Sequence, residues 1–110
     1  AAPVAVLIDA ATGSSGEATA IAFRGRANTR FFGISTAGAS TSTQGFMLSD
    51  GTNLVIAVDV MSDRTGAPYP HGVTPDQEID PTGADGAKPD AALNAALDWL
   101  RQTRACRRAR

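Results

Sequence analysis

The chain has 110 residues, enough for one small domain with a large surface for its volume. Its apolar fraction of 43% is that of a globular protein, yet only Phe23, Phe31, Phe32, Phe46, Tyr69 and Trp99 are aromatic. Bulky core material is therefore thin, and other chain segments are expected to complete the core. A single cysteine, Cys106, and a single histidine, His71, exclude an internal disulfide, a cysteine metal cluster and a two-histidine zinc site; no cofactor and no metal is expected.

The net charge of −1 conceals an asymmetry. Residues 1–100 carry five basic and eleven acidic side chains, and Arg101, Arg104, Arg107, Arg108 and Arg110 follow as a basic tail over 101–110. Such a tail can meet an acidic surface. Without interleaved aromatics or a basic counterpart elsewhere, it reads as a solvated, frayed helix end, and nucleic acid is not an expected partner. No run reaches the roughly 18 to 20 apolar residues that span a bilayer. The first residues also lack the basic, apolar and small-residue order of a signal peptide, which leaves location open.

In chain order, Val4 to Asp9 reads as a continuous apolar run opened by Pro3, the pattern of a strand covered on both faces. Ala10 to Gly16 is small and polar. From Glu17 to Phe23 the spacing turns helical, with Ala18, Ile21 and Ala22 on one face. Ser14 and Ser15 are candidate caps, and Glu17 stands at the capping-box distance from Ser14. Gly25 ends the helix, and Asn28 to Gly33 reads as a second strand. Ile34 to Gln44 lacks bulk and is expected to be a loop. Gly45 to Leu48 and Asn53 to Val60 flank Asp50-Gly51, a hairpin signal. Proline and glycine make Asp63 to Pro81 a surface excursion, with a short edge segment at Gln77 to Ile79, and Asp80 to Pro89 is a further loop. A last helix begins near Pro89 or Asp90, with Leu93, Ala96, Leu97 and Leu100 as its apolar stripe and Trp99 beside it.

A strand, a sharp turn of small residues and a helix can present a nucleophile, because the turn exposes a hydroxyl and the first helical amides face developing negative charge. Thr12-Gly13-Ser14-Ser15-Gly16 lies at such a place. On residue chemistry alone a helix cap is the simpler reading, and the order is not Gly-x-Ser-x-Gly. The acids Asp76, Glu78, Asp80, Asp85 and Asp90 lack calcium-loop spacing, and Gly13 and Gly16 do not make a phosphate loop.

Taken together, Val4-Ala5-Val6-Leu7-Ile8-Asp9 and Thr12-Gly13-Ser14-Ser15-Gly16-Glu17 resemble the nucleophile region of the carboxyl-terminal processing and tricorn-core serine peptidases. Gly25-Arg26-Ala27, Phe32-Gly33, Thr36-Ala37-Gly38, Leu48-Ser49-Asp50-Gly51-Thr52, Arg64-Thr65-Gly66 and His71-Gly72-Val73-Thr74-Pro75-Asp76 follow in the family's order, over roughly residues 4 to 100. The resemblance implies an α/β, crotonase-like fold, here incomplete, with a mixed or parallel sheet, a hairpin and flanking helices. Residues 1–100 would be the carboxyl-terminal portion of the catalytic domain. It also implies Ser14 as nucleophile, with Ser15 as the alternative nucleophile, and the Ser15 amide as an oxyanion-hole donor beside a glycine upstream.

Departures from the family pattern narrow the choice of base. Many processing peptidases use a lysine where this chain has Ala39, and Lys88 lies in the wrong motif to replace it. The chain is similar instead to relatives whose histidine base precedes the nucleophile strand, so the base is expected from a segment outside it. His71 is expected to be exposed or locally bonded rather than the base. Ser35, Ser40, Ser42 and Tyr69 are candidates for substrate binding or base orientation, with plain loop roles as the alternative; where the tricorn-type site has a glutamate, this chain has Tyr69-Pro70. The expected activity is serine-type peptide hydrolysis through an acyl-enzyme. The isolated chain is expected to be inactive, and marginally stable, dimeric or dependent on a missing part. The partners implied are a peptide or protein substrate, the upstream part of the protein or another subunit, and a homo-oligomeric copy. An exported location is favoured, with periplasmic, secreted and cytoplasmic placements open. The rivals are a non-catalytic peptide-binding or structural domain that retains the fold, and an esterase using the same serine.

Overall fold

In a computed structural model, residues 1–80 and 90–103 are described, and they form five strands and two helices. These are β1 (Val4–Ile8), α1 (Ser15–Phe23), β2 (Thr29–Gly33), β3 (Thr41–Met47), β4 (Asn53–Val60), β5 (Gln77–Glu78) and α2 (Ala91–Gln102). The class is mixed α/β. β1, β2 and β5 make a parallel sheet in the order β1-β2-β5, with Val6 opposite Phe31 and Leu7 opposite Phe32. β3 and β4 make a separate antiparallel pair.

Parallel strands require crossovers, and α1 supplies the one between β1 and β2. Successive side chains of a strand face opposite sides. Phe31 accordingly joins Ile8, Ala20, Ile21 and Val73 in a core beneath α1, while Phe32 turns to α2 and meets the Trp99 ring at 5.9 Å. The two rings are 1% and 0% exposed, so each contributes roughly 1.5–3 kcal/mol of apolar burial. Gly33 ends β2 at φ +123°, where a Cβ would lie 1.9 Å from the Ile8 carbonyl oxygen; only glycine fits this approach of β1 and β2. β1 is an edge strand among the described residues, and Leu7 is exposed.

Three expectations need correction. α1 starts two residues earlier than the helical spacing indicates, because the turn around Ser14 continues straight into it. The predicted loop Ile34 to Gln44 gives way at Thr41 to β3, whose polar residues are held extended by pairing with β4 from Thr41–Val60 to Met47–Asn53. A register shift between Ser42 and Thr43 interrupts this ladder. On α2, the buried residues are the small Ala92 and Ala96, which let the helix approach the sheet, whereas Leu93 and Leu97 stand exposed. Asp90 caps this helix by accepting the Leu93 amide at 3.0 Å. The helix runs on through Arg101 and Gln102; residues 104–110 of the basic tail, Cys106 among them, and residues 81–89, where Lys88 and most of the expected further loop fall, lie outside the described residues.

Candidate active site

The turn from β1 into α1 is built by Asp9 and Thr12. The Asp9 carboxylate accepts the amides of Ala11 and Thr12 at 2.9 and 3.0 Å, and the Thr12 hydroxyl accepts the Asp9 amide at 3.1 Å. The Thr12 carbonyl then accepts the Ala37 amide at 2.9 Å, which seats the turn against the segment after β2. Ser14 follows at φ 51° and ψ −115°, a conformation that a side-chain-bearing residue rarely adopts and that costs of order 1–3 kcal/mol. Its side chain is exposed. Ser15, also exposed, is the first residue of α1, and its N–H donates to nothing among the described residues. An open amide at the positive end of a helix suits an oxyanion.

Behind this turn lies Glu17, which is 0% exposed. One carboxylate oxygen accepts the Ser14 amide at 3.0 Å. The other accepts the Thr36 hydroxyl at 2.5 Å and the Gly38 amide at 2.8 Å. Burial pushes this carboxyl up, but hydrogen bonds from Thr36, Gly38, Ser14 and Ala39 outweigh it, and the group titrates below its ordinary value. The Thr36 hydroxyl also accepts the Val73 amide at 2.8 Å, and the Thr36 amide donates to the Val73 carbonyl at 3.0 Å. Gly72, at φ +83°, passes so close that a Cβ there would lie 2.5 Å from the Thr36 hydroxyl and 2.7 Å from Glu17 Oε1.

Ser40 is buried; its hydroxyl donates to the Tyr69 carbonyl and accepts the Gly72 amide at 2.9 Å. Tyr69 is half-buried, and its hydroxyl donates to Asp63 Oδ2 at 2.8 Å. Hydrogen bonds from Thr65 and Tyr69 bring Asp63 down to about 2, while burial and the Asp63 carboxylate push the Tyr69 phenol up. Ser14, Glu17, Thr36, Val73, Gly72, Ser40 and Tyr69 thus lie along one path of hydrogen bonds and adjacent residues. Ser35, Ala39, Ser42 and His71 are exposed, and among the described residues no hydrogen bond joins their side chains to that path. Among the described residues, no histidine, lysine or carboxylate is hydrogen-bonded to the Ser14 hydroxyl.

Three participants escaped the sequence reading. Glu17 showed only the spacing of a helix cap, and Thr36 only that of a small-residue turn. Their pairing, 19 residues apart in the chain, is a tertiary fact. Asp76 is a third: it accepts the Phe31 amide at 2.7 Å and pairs with Arg24 at 2.8 Å, so the Pro75-Asp76 step anchors the loop carrying Gly72 to the sheet. Arg24 lies 3.8 Å over the Phe31 ring. Among the described residues, no group of three or more histidine, cysteine or acidic side chains is placed to hold a metal ion. No helix among them is long and apolar enough to cross a membrane.

In sequence and fold the chain is similar to known proteins. The chain is 37% identical over 101 residues to the nisin-resistance protein of Lactococcus lactis subsp. lactis, covering 91% of this chain and 29% of that protein. Among solved structures, it resembles a lipoprotein from Streptococcus agalactiae with a TM-score of 0.69 and 33% identity, over 90% of this chain and 31% of that one. It also shares the fold of a photosystem II D1 C-terminal processing protease, with a TM-score of 0.63 and 24% identity over 94% of this chain and 26% of that one. The chain therefore spans about a third or less of the length of these relatives. A match to Peptidase family S41 covers residues 1–79, and with the sequence and fold in agreement the chain belongs to that family.

Proposed function

We propose that this chain carries the nucleophile of a serine peptidase, Ser14, within a crotonase-like catalytic domain of tricorn-related type. One observation supports this above the rest: an exposed serine held at positive φ at the start of a helix, next to an open amide. Strain of this kind persists only where surrounding contacts enforce it, and it gathers at reacting groups. In the proposed reaction Ser14 Oγ attacks the peptide carbonyl, and a base outside this chain takes the hydroxyl proton. The Ser15 amide donates to the tetrahedral oxyanion, and the amine leaves with the proton. Water then attacks the acyl-enzyme and releases the second product.

Residues 1–100 form the carboxyl-terminal part of that domain in this reading, and the upstream part of the protein or another subunit supplies the base. The chain alone is inactive, because a serine without a base is a poor nucleophile. Ser40 and Tyr69 then hold the loop around Gly72, while Ser35 stays open to substrate. The likeness to a lipoprotein supports an exported location.

The test is cleavage of a peptide and of a small acyl ester, side by side, by the full-length protein. Ser14→Ala is expected to abolish both activities. Ser15→Ala is expected to retain them, because alanine keeps the backbone amide through which residue 15 acts. Loss in Ser15→Ala with retention in Ser14→Ala would move the nucleophile to Ser15. Peptide binding without cleavage in either assay would favour the non-catalytic domain, a reading to which Ala39 and the absence of a base bonded to Ser14 among the described residues lend support.

A further inference from the structure

We infer that Glu17 is a positioning residue for Ser14, binding the nucleophile turn and two distant loops through one buried carboxylate. The inference rests on the reading of Ser14 as nucleophile. The positive-φ turn is not self-supporting: its Ser14 amide points inward and finds its acceptor on Glu17 Oε2 at 3.0 Å. The same carboxylate is held from the other side by the Thr36 hydroxyl and the Gly38 amide. Thr36 in turn bonds Val73, and the neighbouring Gly72 has no room for a methyl group against Glu17 and Thr36.

Only an ionised carboxylate satisfies this set, because every partner is a donor and a carboxylate is acceptor-only. Glutamine has the same shape but replaces one acceptor oxygen with a donating NH₂. Either the Ser14 amide or the Thr36–Gly38 pair would then face a donor, and the turn would relax toward a commoner backbone conformation. That displaces the Ser14 hydroxyl and the Ser15 amide together. Glu17 is fully buried and meets no substrate, so its loss should act on the chemical step rather than on substrate binding.

The experiment compares the rate of fluorophosphonate labelling at Ser14, per folded molecule, with kcat and KM for a peptide in the full-length protein. Glu17→Gln is expected to slow labelling and kcat by about tenfold or more, with KM changed by no more than about threefold. Thr36→Val, which removes one of the donors, should slow both in the same direction by less, and it carries the test if Glu17→Gln does not fold. Ala96→Gly, which loosens α2 far from this carboxylate, should keep the wild-type labelling rate. A wild-type protein that labels at Ser14 and a folded Glu17→Gln that labels equally fast would overturn the inference alone. A rise in KM at constant kcat would overturn it as well. A folded wild-type protein that does not label would remove the serine reading and this inference with it.

Discussion

Around Ser14, polar groups are buried and paired, whereas on β3 and β4 apolar groups stand in the open. Glu17 is 0% exposed with its carboxylate oxygens bonded, and Ser40 and Thr36 are buried with theirs bonded too. On the hairpin, Phe46, Leu54, Val55, Ile56 and Val58 are all exposed, Val55 at 58% and Met47 at 75%. The hydrophobic effect alone would favour the reverse. A buried carboxylate bonded through both of its oxygens holds the backbone around it to a set geometry. A two-stranded ribbon with both faces wet has only its own ladder to hold it, and such a ribbon is marginal in water.

Substitutions can break this contrast or sharpen it, and the largest effect is expected at Ser14. Ser14→Ala should lower peptide cleavage by the full-length protein roughly a thousandfold or more, as measured by product formation under saturating substrate. Next comes the sheet that supports the turn. Phe32→Ala should cost about 3–5 kcal/mol in urea unfolding, because the ring is completely enclosed between β2 and α2. A loss under about 1 kcal/mol would mean that the sheet is as loosely held as the hairpin.

Acid should tell on the Ser14 side through a buried carboxylate, whereas Asp50 in the hairpin turn, also held below its ordinary value by Thr52, is exposed and should matter little. Glu17 and Asp63 both titrate below their ordinary values of 4.5 and 3.8, so their contribution to stability is present above those values. It declines as pH falls through the folded-state values, about 2 for Asp63. Thermal unfolding followed between pH 6 and about 2 should show Tm falling over the lower part of that range. Glu17→Gln should flatten the fall. A Tm that rises on acidification would contradict the hydrogen-bonding pattern given to both groups. The smallest effect is expected at Val55→Ala, under about 1 kcal/mol in this chain. A loss of about 2 kcal/mol or more would place Val55 in a packed environment and erase the contrast.

Much of the sheet was legible from residue pattern. The apolar run at Val4 to Ile8, Phe31-Phe32, the Asp50-Gly51 hairpin and the short segment at Gln77 stand where patterning puts them, and the helix after Ser14 does so apart from its first two residues. The start of β3 was not, because Thr41 to Gln44 have no apolar alternation and owe their extension to partners on β4. Nor was the face of α2, where leucines mark an apolar stripe but alanines permit the closest approach. At the candidate site, the motif order marked Ser14 and Ser15. The conformation of Ser14 is a backbone torsion that no residue type announces. The capping-box spacing marked the Glu17 bond to Ser14, but Glu17 meets Thr36 and Gly38, and Asp76 meets Phe31, across 19 or more residues, so local spacing could not reveal those roles.

The most direct measurement is mass mapping of the fluorophosphonate adduct on the folded full-length protein, with Ser14→Ala and Ser15→Ala beside it. An activated nucleophile at Ser14 gives one adduct on the peptide that contains it, lost in Ser14→Ala and kept in Ser15→Ala. An adduct confined to Ser15, or no adduct on demonstrably folded protein, would contradict the assignment of Ser14.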